Sequence, residues 1–177
     1  MGKILTAIAL GSLMLVVAAC SSDTCRDSTN AVPVAAFYSS STQGMITVDS
    51  LTVYGIGVPN DSAIIRNEAV SQVHLPLRGN AEVCRYVLHY EQRAISDPRL
   101  NDTLTVNYVP QLVFTSAECG VMYFYEITEC GTTTHLIDSV AVVSADVSNV
   151  SAETLRIYFR TSDDGGDDNS GETEEQQ

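Results

Sequence analysis

The sequence predicts an all-β protein, a single antiparallel β-sandwich for which an immunoglobulin-like arrangement is one candidate. Apolar residues recur at every second position in short segments from Val32 onward, which is typical of half-buried strands. Residues with turn chemistry separate these segments, and none after residue 20 shows a capped 3.6-residue period. We therefore expect about seven to nine short strands in the sandwich.

The first twenty residues predict export and a lipid anchor. Lys3 precedes an apolar run over residues 4–17, and Val-Ala-Ala-Cys ends at Cys20. This order is that of a secretory signal, and its end resembles a bacterial lipobox, in which the cysteine is lipidated. The run is shorter than the roughly 20 apolar residues of a spanning helix. We predict a signal peptide over residues 1–19 and a lipidated N-terminus and linker over residues 20–31.

Each predicted strand has its own alternation. In residues 84–90, Tyr86, Leu88 and Tyr90 share one face, and residues 104–108 are apolar at even numbers. The same argument predicts strands over residues 51–56, 120–127 and 155–160. Turn chemistry separates these runs at residues 59–61, 78–80, 97–98, 101–102 and 130–131.

Composition bounds the domain and its partners. Residues 32–161 are enough for one β-sandwich domain with a core. Residues 162–177 hold seven acids, no base and no apolar residue, which predicts a disordered acidic tail. Lys3 is the only lysine, and eight arginines face 22 acidic residues. A chain without a basic patch is not expected to bind nucleic acid or to be drawn to anionic lipid by charge.

The five cysteines predict two disulfides beside the lipidated Cys20, because the remaining four form an even set in an exported chain. An unbroken strand between Cys119 and Cys130 spans about 36 Å, too far for a disulfide. Cys84 opens one strand and Cys130 closes another, which suits antiparallel neighbours. The favoured pairing is Cys25–Cys119 with Cys84–Cys130, and other connectivities stay open.

Several short segments occur in an order that resembles a family of uncharacterised lipoproteins of Bacteroidota, grouped as a domain of unknown function. They are the early Cys25, residues 49–57 (DSLTVYGIG), residues 75–77 (LPL), Cys119-Gly120 and the closing strand over residues 154–159. The resemblance covers about residues 20–160. It implies an exported all-β domain and a pairing of Cys25 with Cys119, with Cys84 and Cys130 as additions. It implies no activity and no catalytic residue.

No pattern for catalysis, a metal or a cofactor stands out. Cysteine combined with His89 or His135 gives no tight zinc spacing, and an exported chain favours disulfides. No Gly-x-Ser-x-Gly nucleophile elbow occurs. Gly55-x-Gly57 follows a strand without a helix after it, which indicates a turn. We expect a protein that is not an enzyme, with no catalytic residues, no metal and no cofactor.

Tyrosine offers a binding hypothesis. The chain has eight tyrosines and no tryptophan, and Tyr123 and Tyr125 share a face, as do Tyr86 and Tyr90. Exposed rings could stack on sugars or contact a partner protein. The alternative is that the rings fill the core, with their hydroxyls at its rim.

Five short motifs of aspartate, then serine or threonine, then an apolar residue or threonine resemble O-glycosylation acceptors of exported Bacteroidota proteins. Asp-Ser is also turn chemistry, so each match is weak alone. The predicted acceptors are Ser28, Ser50, Ser62, Thr103 and Ser139.

These observations lead to one expectation and one alternative. We expect a lipid-anchored cell-envelope protein, in the outer membrane, whose non-catalytic domain binds or scaffolds another envelope protein. The alternative is an accessory lipoprotein that binds glycan or peptide through exposed tyrosines. Under the two hypotheses together, the expected partners are the membrane, through the N-terminal lipid, and an envelope protein or glycan.

Overall fold

The computed structural model describes residues 31–58, 62–116 and 120–161, with only the main chain for Thr115 and Ser116. This part of the chain is all-β, as predicted, with one short 3₁₀ turn at Pro98–Leu100. It contains ten strands: β1 (Val34–Ser39), β2 (Val48–Gly55), β3 (Ala63–Val70), β4 (Gln72–His74), β5 (Val83–Tyr90), β6 (Asp102–Ser116), β7 (Gly120–Thr132), β8 (Ile137–Val142), β9 (Asp146–Val147) and β10 (Glu153–Phe159).

The strands form two sheets, which confirms the predicted sandwich. One has four strands in the order β4-β1-β10-β8, and the other has six in the order β3-β2-β5-β6-β7-β9. Every pair is antiparallel except β1 with β10, which run parallel and bring together the two ends of the described domain. This one parallel pair departs from the antiparallel pattern that the sequence predicts for the sandwich.

The core lies between the sheets and follows the predicted alternation. Tyr86, Leu88 and Tyr90 of β5 are at most 3% exposed, and Leu155, Ile157 and Phe159 of β10 also point inward. Alternation buries one face of each strand and leaves the other to solvent. The largest fully buried side chains include Tyr90, Tyr108, Phe37, Leu51, Leu75 and Leu104.

A buried carboxylate fixes the crossing from β7 to β8, where the chain changes sheets. Asp102 is 0% exposed and accepts hydrogen bonds from the Tyr90 and Thr133 hydroxyls at 3.0 and 2.9 Å. It also accepts the main-chain N–H groups of three consecutive residues at 2.8 to 3.0 Å, those of His135, Leu136 and Ile137. Because a buried carboxylate requires such donors, Asp102 ties the connection to the core of the six-stranded sheet.

One predicted turn lies inside a strand. The predicted break at Cys130-Gly131 falls within β7, which continues to Thr132, whereas the predicted break at residues 101–102 falls where β6 begins. As a result β6 and β7 pair from Leu104 with Thr132 to Ser116 with Gly120, with irregular register near each end. They form a hairpin longer than any other strand pair described.

Candidate functional site

The distal half of the β6–β7 hairpin exposes apolar side chains. Leu112 lies opposite Tyr123, and Phe114 lies opposite Val121. Leu112, Phe114 and Val121 are 67%, 68% and 59% exposed. Residues 109–116 and 120–125 contain no charged residue. We call the side chains of Leu112, Phe114, Val121 and Tyr123 the hairpin face.

The hairpin face continues the core face of the same strands. Tyr108 and Ile127 are paired and buried, and Leu112 and Tyr123 follow them at even spacing on the same side. In the half of the hairpin that includes Tyr108 and Ile127, this side is covered by the opposite sheet and by residues 75–79. In the distal half, the four side chains of the hairpin face are 41% to 68% exposed. An apolar surface of this kind marks an interaction site more often than does a scattered apolar residue.

Three tyrosines position the segment where the covered face ends. Tyr86, Tyr108 and Tyr125 come from the adjacent strands β5, β6 and β7. Their hydroxyls donate to the main-chain carbonyls of Pro76 at 2.6 Å, Arg78 at 2.9 Å and Leu77 at 3.3 Å, respectively. The segment after β4 is therefore fixed across the ends of three neighbouring strands.

These hydroxyls stay protonated well above neutral pH. Burial is the main cause that raises the pKa of Tyr86 and of Tyr125, and it raises that of Tyr108 to about 12. The Cys84 thiol, 3.3 Å from the Tyr108 hydroxyl, adds to the effect. The three groups serve as neutral hydrogen-bond donors, which suits a structural role.

Tyr123 is the exposed member of a stacked ring pair. Its ring centroid lies 6.4 Å from that of Tyr125, with 16° between the planes. Tyr125 in turn meets Tyr108 edge to face at 5.4 Å. A Cβ on Gly79 would lie 2.5 Å from the Tyr123 ring, so the glycine permits this close approach. Tyr123 therefore has a fixed position although 41% of it is exposed.

A groove of about 410 Å³ runs beside β7 under the hairpin face. One wall is formed by Val121, Tyr123 and Tyr125, and the other by Ala31 and residues 76–77. Among the described residues, no charged side chain lines the groove. The groove can therefore hold apolar or aromatic side chains, with main-chain groups at its margin.

A second cavity, of about 560 Å³, lies on the outer face of the six-stranded sheet. Glu91 there accepts the Thr52 hydroxyl at 2.5 Å, and the Thr52 oxygen accepts the Asn67 N–H at 2.8 Å. His89 lies 2.9 Å from the Asn101 side-chain oxygen. The guanidinium of Arg66 also lines this cavity, so the cavity differs from the groove in holding both a cation and a carboxylate.

The predicted site residues fall into two groups. Cys20, Cys25, Ser28 and Cys119 lie outside the described residues. Of the other predicted acceptors, Ser62 and Ser139 are exposed, and Ser50 and Thr103 are half-buried. Their glycosylation stays a prediction.

The predicted disulfide Cys84–Cys130 is absent, and both residues are free thiols. Cys84 and Cys130 pair with the same residue, Val106, from opposite sides of β6. Two strand spacings of about 4.8 Å separate them, whereas a disulfide needs Cα atoms within about 6.8 Å. The inference that their strands are neighbours was wrong because β6 lies between them.

The tyrosine pairs have different environments. Tyr86 and Tyr90 are buried, as the core alternative expects, although the Tyr90 hydroxyl bonds to the buried Asp102 and does not lie at a rim. Tyr123 is the one exposed tyrosine among the described residues. Alternation identified the shared face of Tyr123 and Tyr125, but it gave no sign that Leu112 and Phe114 are uncovered. The absence of charge from residues 109–116 was the available signal.

The described residues contain neither a candidate metal site nor a helix that could span a membrane. Over residues 31–58, 62–116 and 120–161, no three His, Cys, Asp or Glu side chains converge as a metal site would require. In the same residues no helix has the length and apolar character needed to cross a bilayer.

Comparison with known proteins gives a family. The model of the family of unknown function DUF6452 matches residues 50–159, which span β3 to β10 and nearly all of β2. No curated protein and no solved structure matches the chain. The chain belongs to the DUF6452 family.

Proposed function

We propose that this member of the DUF6452 family is a non-catalytic binding module of the bacterial cell envelope. The β-sandwich would dock another envelope protein through the hairpin face and the groove beside it. The observation that carries the proposal is the absence of charge from residues 109–116 and 120–125 of the hairpin, where Leu112 and Phe114 are more than 65% exposed on an otherwise acidic chain. Depletion of charge and enrichment of aromatic residues are typical of the centre of a protein interface.

The anchor is part of the proposal. The Val-Ala-Ala-Cys motif supports lipidation of Cys20 and a position in the outer membrane. Ala31 lines the groove and lies only eleven positions after Cys20. A lipid on Cys20 would hold the groove within about 40 Å of the bilayer, since an extended residue spans at most about 3.6 Å. The partner would then be a membrane or membrane-associated protein.

Glycan binding is the weaker alternative. Sugar sites combine an aromatic platform with several polar side chains, whereas the groove offers one exposed ring and no charged group. The stripe of exposed tyrosines that motivated this alternative reduces to Tyr123. An apolar segment of a protein is the better match to the groove.

The test compares two single variants of the membrane-anchored protein. Phe114 and Val150 are each 68% exposed, but only Phe114 lies on the hairpin face. After chemical cross-linking on intact cells, we expect a reproducible cross-linked protein that is lost in Phe114→Ser and kept in Val150→Ser. Equal losses in both variants, or no cross-linked protein with the wild type, would contradict the proposal.

A further inference from the structure

One edge of β7 is open next to the groove. The N–H of Ile127 points away from β6 and donates to the Ala145 carbonyl at 2.8 Å. Main-chain groups of alternate residues point the same way along a strand, so those of Tyr123 and Val121 also face away from β6. On that side β9 pairs only with Tyr125 and Glu126. Within the described residues, no strand pairs with this edge beyond β9.

The open edge and the groove form one surface. The groove beside this edge is lined by the side chains of Val121 and Tyr123, together with Pro76 and Leu77. A strand added to the edge would place every second side chain on the inner side, toward the groove. Main-chain hydrogen bonds would give affinity, and the groove would select apolar side chains at alternate positions.

The outer side of the same edge is acidic. Glu126 lies directly opposite Asp146, and both are exposed, as is Glu129. Like charges opposite each other on a sheet are unfavourable without a partner. Among the described residues no arginine forms an ion pair with these three carboxylates. An outward side chain at the end of an added strand, next to β9, would therefore be favoured if it were basic.

We propose that β7 binds an extended segment of the partner protein as an added β-strand along Val121–Phe124. Its inward side chains are apolar and enter the groove, and an outward arginine or lysine at the end next to β9 faces Glu126 and Asp146. The inference rests on the proposed function, because it specifies how the docking surface recognises its partner.

A second copy of this chain fits the edge less well. Antiparallel pairing of two copies over Val121–Phe124 would leave Glu126 and Asp146 of each copy without a cation, because residues 120–125 contain no charged residue. The chain also has only nine basic residues against 22 acidic ones. A basic partner segment supplies a cation at these carboxylates, whereas self-pairing does not.

The experiment uses the full chain with two synthetic ten-residue peptides as probes. One alternates leucine and arginine, and the other alternates leucine and glutamate. Binding is measured by fluorescence anisotropy, and hydrogen exchange of the Val121 and Tyr123 amides is followed by NMR. We expect the arginine peptide to bind and to protect both amides, and the glutamate peptide to bind at least about tenfold more weakly, a difference of roughly 1.4 kcal/mol.

Two variants separate the contributions. Val121→Pro removes an N–H on the open edge, where proline is tolerated. It should lower the affinity for the arginine peptide about fivefold, the effect of one hydrogen bond. Phe114→Ser keeps every β7 amide and should leave the protection of bound Val121 and Tyr123 intact. Glu126→Lys, a substitution at an exposed position, should reduce the preference for the arginine peptide over the glutamate peptide. Unchanged urea midpoints confirm that each variant is folded.

The other outcomes overturn the proposal in distinguishable ways. Binding without protection of Val121 and Tyr123 would mean that the groove acts without strand addition, and the proposed function would stand. Protection that rises with protein concentration before peptide is added would assign the edge to a second copy. No binding at about 1 mM peptide, the weakest useful affinity, would exclude strand addition, and the cross-linking of Phe114→Ser would then decide the proposed function separately.

Discussion

The ring of Tyr123 lies against the main chain of Gly79, so closely that a Cβ on Gly79 would be 2.5 Å from a ring carbon. The same ring stacks on Tyr125 and lines the groove. Gly79 is thus required by space rather than by a special backbone angle. The contact sets the position of the exposed tyrosine and the width of the groove.

Gly79→Ala should displace the Tyr123 ring and destabilise the domain by about 1–3 kcal/mol, the usual effect of overpacking. The measurement is urea unfolding. Gly131→Ala is the matched control, because nothing lies within 4 Å of a Cβ there. Equal effects of the two substitutions would show that the ring contact is not tight.

Asp102→Asn should destabilise the domain by about 3 kcal/mol. An amide in place of one carboxylate oxygen turns an N–H group toward the N–H and O–H donors that Asp102 now accepts. Asp138→Asn is the control, since Asp138 is exposed and its ion pair with Arg160 is a surface one. The measurement is again urea unfolding. A urea midpoint for Asp102→Asn equal to that of the control would contradict the role of Asp102 at the sheet crossing.

Cys84 and Cys130 should react as thiols without reduction. In denaturant, a maleimide should label both in the unreduced protein, and each of Cys84→Ser and Cys130→Ser should lose one label. A Cys25–Cys119 disulfide would keep those two cysteines unlabelled until reduction. Labelling of neither Cys84 nor Cys130 would contradict their assignment as free thiols.

In the native protein, alkylation of Cys130 should be slow at neutral pH. Burial raises the pKa of its thiol to about 11, and the reactive thiolate forms only as the pH approaches that value. The alkylation rate followed from pH 7 to pH 10 should therefore rise throughout the range. A plateau below pH 9 would indicate an exposed thiol with an ordinary pKa.

Ionised Glu153 should make the free energy of unfolding depend on pH in the acidic range. Burial alone would raise the pKa of its carboxyl, but hydrogen bonds from Arg156 and Tyr38 hold the pKa below the usual value of about 4.3. A carboxyl with a lowered folded pKa stabilises the fold above its unfolded pKa, and this contribution is lost as pH falls through the folded pKa.

Glu153→Gln should therefore unfold at lower urea than the wild type at pH 7, and the difference should narrow at pH 3. Glu129→Gln, at an exposed position without an ion pair among the described residues, is the control. A difference for Glu153→Gln that stays constant between the two pH values would contradict the ionic origin of the effect.

The sequence predicted the parts of this fold that depend on local alternation. It identified the inward faces of β5, β6 and β10, because period two records which side of a strand is buried. It missed the order of strands across the sheet. Nothing in the spacing of Cys84 and Cys130 reveals that β6 lies between them, so the predicted disulfide failed.

The candidate site could be predicted only in part, for a related reason. Alternation continues unchanged from Tyr108 through Leu112 to Phe114, although the opposite sheet covers only the first of these. Whether an inward face is covered depends on the lengths of strands in the other sheet. The Cys130-Gly131 pair also suggested a turn. β7 instead continues through it, because cross-strand pairing with β6 overrides the local preference.

Site-specific photo-cross-linking tests the docking surface most directly. A photoreactive phenylalanine analogue is placed at Phe114 in one variant of the full chain, produced in its native cells, and at Val150, which is equally exposed, in another. Docking through the hairpin face predicts one discrete cross-linked protein from position 114 and none from position 150. The same products from both positions, or none from position 114, would contradict it.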